Sequence, residues 1–424
     1  MKKAMKLSKR DTEMMYAIYQ FRCLDVRQAH FYFFSEFERR DIFELEVLYP
    51  LIDMELIELV EYKSGVAIFL QREGVDIIRD EFELSTHIVD EETLAVKRGY
   101  YSAGELRMNP RLVNHQVGLN EFVLKFSRRA PKDLNWKHYG EKFVSSYFGI
   151  RPDAMIRLFD LDIFLEQDMN TESEYQLLGK WDNYRTFLRS KEHEMNPRRI
   201  LVFFIVDNIK REATIQNRKD LVRYTAVDGL IDCFDDYFDI VVGTREELLD
   251  YAFEWLIPTL QLANPIHNHF IATMQEKHGF TVRDADKLSA FMEDSYDFIA
   301  YKTDHNDNLA VENDRIQEFL FEDATFSPFS VMHKVDFHKR NSATFRRNMN
   351  RGISSVFIVD DEDGIEKDLK LARLLGADQI FYTTMERLEK KPFHEALFAF
   401  DALGNRFHFR NTGLVERVME KEVE

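Results

Sequence analysis

The 424-residue sequence predicts an α/β protein, α+β overall, on three observations. A helical N-terminal stretch runs into a short alternating hairpin. Further on, unbroken apolar segments of strand length alternate with amphipathic helices. The strand–helix–strand order then returns near the C-terminus. The length corresponds to about three domains.

The elements follow in order. Ser8 with Asp11 forms an N-cap pattern ahead of the helix DTEMMYAIYQF. A second helix follows Asp25, and a third runs from about Glu38 to Leu48, where Pro50 is expected to stop it. LIELVEY and VAIFLQ alternate as strands across the turn Lys63-Ser64-Gly65, and REGVDIIRD closes the unit as a short helix. Three helices followed by a two-stranded wing is the order of a winged helix-turn-helix, which defines a DNA-binding domain at 1–80. Arg39 and Arg40 on the third helix and Lys63 on the wing are its expected DNA contacts.

Residues 81–110 are polar and acidic and read as a linker. A core at 111–258 opens with an amphipathic helix, where Leu112, Leu119, Phe122, Val123 and Phe126 share one face. Strand-like segments follow at KFVSSYF, DAMIRLF and DIFLEQD. A helix from about Glu172 to Arg189 then carries the stripe Leu177, Trp181, Tyr184 and Leu188. RRILVFFIVDN is a buried-type strand, 211–227 a helix and FDIVVG a strand, and Thr244 to Glu247 is a capping box. The acidic stretch at 259–328 reads as a helical bridge. A C-terminal α/β domain at 329–424 ends in a hairpin turning at Gly404-Asn405.

The net charge of −18 argues at first against nucleic acid, but the charge is uneven. Residues 1–40 hold nine basic and five acidic side chains, 122–151 seven and two, 180–223 eleven and six, and 333–351 six and one. Residues 230–323 hold six basic and twenty-one acidic ones. Screening beyond roughly 8 Å lets each basic stretch act locally. The acidic segment is an expected dock for a basic partner protein. Cys23 and Cys233 are too few for a disulfide framework and suit a reducing cytosol, so the expected location is cytoplasmic. The longest apolar run, ILVFFIV at 200–206, is far short of the roughly 20 residues that span a bilayer, and no membrane partner is expected. No Walker A loop, GxGxxG or serine-triad pattern occurs. IVDDEDG lacks the second acid-ended strand of a phospho-acceptor pocket, and His267-Asn268-His269 reads as a loop without a metal constellation.

The strongest chemical signal is RPDAMIRLFDLDIFLEQD at 151–168. Asp153 opens one strand; Glu166 and Asp168 lie two apart on the next and so face the same side. Three carboxylates converging there would repel one another unless they shared a divalent cation, and Mg²⁺ or Mn²⁺ prefers such oxygen ligands. The plainer reading makes Glu166 and Asp168 the end of an exposed strand and Asp153 a turn residue.

With its winged-helix order, His115 and Asn120 in the first core helix, RPD at 151–153, FLEQD at 164–168 and the Lys180/Tyr184 helix, the chain resembles the replication-relaxation family over roughly residues 8–255. The resemblance implies a restriction-endonuclease-like core of the PD-(D/E)xK type. It implies Asp153, Glu166 and Asp168 as metal ligands, and a site completed by Lys180 and His115. Asp168 stands where that motif has its lysine, so Lys180 is expected to reach over from the following helix. Glu121 falls on the polar face of its helix, and His115 at the apolar edge also reads as a core histidine. The implied function is nicking or processing of double-stranded DNA at an origin-like site in plasmid mobilisation or replication. The alternatives are a non-catalytic origin-binding or regulatory protein that keeps the nuclease-like scaffold, and a recruitment adaptor whose acidic 230–323 segment docks other mobilisation or replication proteins.

Overall fold

The computed structural model of the chain describes residues 7–85, 87–90, 94–98, 100–169, 172–195, 198–207, 212–234, 237–261, 265–285, 296–306, 308–312, 315–325, 328–349, 354–377, 379–408 and 416–417. They are mixed helix and strand, as the sequence predicts. They divide into two compact units, one of Met1–Asp220 with Val241–Asp250, the other of Leu221–Ile240 with Tyr251–Glu424.

The first unit starts with α1 (Lys9–Phe21), opened by the Ser8/Asp11 capping box. β1 (Leu24–Asp25) leads into α2 (Val26–Phe33), which Asp25 caps reciprocally with Gln28. The third helix does not stop at Pro50. It continues as α3 (Arg40–Phe43), a wide turn at Glu44–Leu48 and α4 (Tyr49–Asp53). In the wide turn the Tyr49 N–H bonds back to the Glu44 carbonyl, one residue further than in an α-helix. That extra residue makes room for the proline ring, which would otherwise strike a carbonyl of the preceding turn. β2 (Ile57–Tyr62) and β3 (Gly65–Leu70) form the wing, with β1 on the far side of β3, and α5 (Arg72–Glu81) closes the set.

The 81–110 stretch is not a plain linker. β4 (His87–Val89) pairs with β5 (Val96–Arg98), and Asp90 beside them bonds Arg157 at 3.1 Å. The short α6 (Ala103–Leu106) follows. The 20-residue α7 (Pro110–Arg129) starts from the Asn109 cap with proline at its first position. It buries Leu119, Phe122, Val123 and Phe126 as the periodicity requires, but Leu112, expected on the same face, lies in the first turn and is exposed. Strand β6 is Trp136–Gly140; the expected KFVSSYF segment is not a strand but the helical turn α8 (Glu141–Val144) followed by turns. β7 (Ala154–Leu158), β8 (Leu161–Asp168), α9 (Glu174–Leu188), the one-turn α10 (Lys191–Met195) and β9 (Arg199–Val206) follow, and then α11 (Glu212–Leu230). β10 (Phe238–Gly243) and α12 (Arg245–Asp250) complete the path.

The sheet order is β10-β9-β8-β7-β6; β6, β7 and β8 form an antiparallel meander, and β9 runs parallel to β8. This is the expected helix, meander, helix, strand, helix, strand order. Side-chain alternation gives β8 and β9 two buried faces. Phe203 meets Phe122 of α7, and Phe204 meets Trp181 of α9. Gly118 of α7 leaves room for the Gln167 amide, 3.4 Å from where a Cβ would stand.

In the second unit the acidic segment is not a helical bridge. After α13 (Ile257–Gln261) and α14 (Pro265–Ala272), which contains His267, it supplies β11 (Thr281–Asp284), β12 (Phe298–Tyr301), the small pair β13 (Val311–Glu312) and β14 (Arg315–Ile316), and β15 (Glu318–Asp323). β16 (Ser354–Ile358) and β17 (Ile380–Thr383) run parallel to β15 in one eight-stranded sheet, with α15 (Pro328–Met349) and α16 (Glu362–Leu371) as the crossovers. Alternating phenylalanines explain why this acidic run folds as strand. Phe298, Phe319 and Phe321 face one core with Phe270, while Glu318 and Glu322 alternate with them on the other face of β15, where Lys334 meets Glu322. α17 (Met385–Lys390) and α18 (Phe393–Ala396) precede the hairpin of β18 (Phe398–Phe400) and β19 (Arg406–His408), whose turn holds Gly404 at φ +86°. β20 (Glu416–Arg417) ends the sheet. No described helix is long and apolar enough to cross a membrane.

Candidate nucleic-acid interface

The winged helix is bolted to the core rather than tethered to it. Buried Asn120 donates to the Cys23 carbonyl at 2.7 Å and to that of Phe21 at 3.3 Å. Glu121, on the polar face of α7, accepts from Gln28 and from the Tyr32 hydroxyl, both at 2.9 Å. The Ser64 hydroxyl on the wing turn donates to Asn114 at 2.8 Å. Glu121 is therefore a fastening between helices, at the edge of a cavity that it lines with Gln28 and Tyr32.

The three carboxylates of the motif do not converge as one set: Asp153 and Glu166 interact with each other and with Lys180, whereas Asp168 is held by Arg218. Glu166 and Asp168 do point to one face of β8, as their spacing requires, but each meets a separate cation. Glu166 accepts from Lys180 at 2.8 Å and from the Tyr184 hydroxyl at 2.7 Å; Asp168 pairs with Arg218 at 2.5 Å, with both side chains buried. Asp153 instead meets His115 at 3.2 Å and accepts from the Gln167 N–H at 2.8 Å. Among the described residues no group of three potential ligands could hold a metal ion. The donor set therefore does not fit Mg²⁺ or Mn²⁺: Lys180 lies against Glu166 on one side and Arg218 holds Asp168 on the other, so the shared cation is replaced by three protein cations.

The electrostatics follow. Burial lifts the Glu166 carboxyl above its ordinary range, against the pull of Lys180. Burial opposes the charge on Lys180, yet Glu166, Glu172 and Asp153 together hold it well above the usual lysine range. Burial also opposes both charges of the Asp153–His115 pair. Mutual attraction outweighs it, so Asp153 is lowered and His115 raised. The pair is consequently charged between the lowered Asp153 and the raised His115 values. His115's contribution is fully present below about pH 6.5 and is lost as pH rises through its higher folded value. Wild-type thermal stability is expected to fall over that window relative to His115→Gln; parallel pH profiles would remove the assignment.

The expected DNA contacts fare unequally. Arg39 is closed on Asp41 at 2.5 Å and Arg40 on Glu44 at 2.6 Å. The exposed side of the third helix otherwise shows Ile42, Leu45 and Tyr49, so it offers apolar and acidic groups rather than open cations. Lys63 lies elsewhere: with Ser64 it borders a cleft of about 1030 Å³ between the wing turn and the first turns of α7. Arg111, Leu112, Asn114, His115 and Asp153 line the same cleft. Among the described residues neither Lys63 nor Arg111 has an acidic partner. Sequence reasoning missed Arg111 and Arg218. Arg111 follows a proline that marks a helix start, a signal for an anion-facing position, whereas Arg218 has no distinguishing spacing.

Fold and site thus define an α/β protein in which a winged helix is fixed to a five-stranded mixed sheet with internally neutralised carboxylates. Residues 18–200 match the model of the replication-relaxation family, the family that the motifs resemble. No curated protein and no solved structure matches the chain.

Proposed function

We propose that the chain is a DNA-binding protein of plasmid or mobile-element replication that holds DNA across its wing and the start of α7 and does not cut it with a metal. The observation carrying this reading is the cleft bordered by Lys63 and Arg111, two cations that an incoming phosphate would meet without displacing a carboxylate. The closed pairs Glu166–Lys180 and Asp168–Arg218 favour the scaffold role of the core over nicking. Fluorescence anisotropy with plasmid-origin duplexes over a salt series tests it. Lys63→Ala/Arg111→Ala is expected to weaken binding and to flatten the log–log salt slope by about 2, near 0.9 per lost phosphate contact. An unchanged slope would remove these two contacts, and no binding by the wild type would end the DNA reading. Supercoiled plasmid with Mn²⁺ is expected to stay intact. Nicking that disappears in both Asp153→Ala and Glu166→Ala would instead establish a metal-dependent nuclease.

A further inference from the structure

We infer that the cleft between the wing and α7 takes an unpaired nucleic-acid strand, with phosphates at its rim and a base against its floor. This rests on the DNA-binding reading and narrows it to a substrate class.

The rim and floor differ in chemistry. Lys63 stands on the exposed wing turn and Arg111 at the second position of α7, where the helix start favours an anion through its dipole although Asn109 already takes the Arg111 and Leu112 N–H groups. Below them the lining turns apolar. Leu112 is 54% exposed although it is a large aliphatic side chain, and Met108 and Met169 lie in the same lining with the Tyr62 ring. In a paired duplex the base faces are stacked away, so its sugar–phosphate surface would leave this floor unmet. An unpaired base offers its face to apolar and aromatic side chains and its edge to hydrogen-bonding groups.

The floor also holds Asp153. A carboxylate this close would repel a phosphate, yet it can accept from an exocyclic amino group of a base. His115 at 3.2 Å tempers its charge, and Asn114, tied to the wing by Ser64, borders the same space. The lining thus combines cations, an apolar surface and a hydrogen-bond acceptor. A strand with its backbone toward the cations and a base toward the remainder would meet all three.

The test uses the full chain and three fluorescent probes: a fully paired duplex, the same duplex with an unpaired tail, and the tail strand alone. The wild type is expected to bind the tailed duplex at least about 10-fold tighter than the paired one. Leu112→Asp is expected to abolish that advantage and Leu112→Met to keep it. Leu112 is more than half exposed and sits in the first turn of α7, where an acidic residue is compatible with the helix, so the variant should fold; its circular-dichroism melt checks this. Equal binding of paired and tailed probes, or an advantage that survives in Leu112→Asp, overturns the inference while leaving duplex binding intact. Absence of binding to every probe overturns both it and the DNA-binding reading.

Discussion

Replacing Arg218 with alanine is expected to lower the stability of the first unit by about 3–5 kcal/mol, because it leaves a buried carboxylate without the guanidinium that neutralises it. Arg218 Nε lies 2.5 Å from Asp168 Oδ2 and Nη1 lies 2.7 Å from the Glu172 carbonyl; the two side chains of the pair are 5% and 0% exposed. Little water is available to solvate the charge that remains. In a unit of this size the loss corresponds to a fall in Tm of roughly 6–20 °C. The double variant Arg218→Met/Asp168→Asn should recover most of it, since the buried charge goes with its partner. A single-variant loss below about 1 kcal/mol would show that the pair does not organise the strand end.

Lys180→Met is expected to cost about 3 kcal/mol, the lower end of the range for breaking a buried pair, because Lys180 keeps about a fifth of its side chain in solvent. Glu166 is only 3% exposed and retains the Tyr184 hydroxyl at 2.7 Å. Its carboxyl is already lifted by burial, and losing the Lys180 ammonium lifts it further. A carboxyl whose folded value exceeds its unfolded one binds more protons when folded. Stability is therefore lost as pH rises between the two values and regained as pH falls. The variant should accordingly approach the wild type in mildly acidic buffer and separate from it near neutrality. Urea denaturation at several pH values measures this; a pH-independent gap would mean that Lys180 stabilises by packing against Phe204, 5.3 Å away, rather than by charge.

Periodicity and caps carried most of the fold. Ser8/Asp11 and Thr244/Glu247 mark helix starts chemically, and the strand-like runs of 154–168 form two strands that are buried throughout. Elements failed where tertiary packing outweighed local composition. The charges of 281–323 concealed a period-two row of phenylalanines, and Pro50 was absorbed by a widened turn rather than ending its helix. For the site, the two-residue spacing of Glu166 and Asp168 gave their common face correctly. It did not reveal that Arg218 would meet Asp168, because that arginine arrives from a helix 50 residues downstream, whereas Lys180 comes from the next helix. Arg39 and Arg40 illustrate the same limit at shorter range: their positive charge was legible, but the acids that close on them lie one turn or less away.

The first unit is interrupted in sequence. It leaves at Asp220, and only Val241–Asp250 returns to it. Four of its basic side chains find their acids or their strand through that returning piece: Lys125 with Glu246, Arg129 with Asp250, Lys219 with Glu247, and Arg245 with Asp207. On a ribosome, where earlier segments generally fold first, this unit cannot close when its first 220 residues have emerged. It must wait for residues 221–240, which belong to its neighbour, to be synthesised before the closing helix arrives. The two units are therefore coupled in time during synthesis, and a chain cut after residue 220 would be born incomplete.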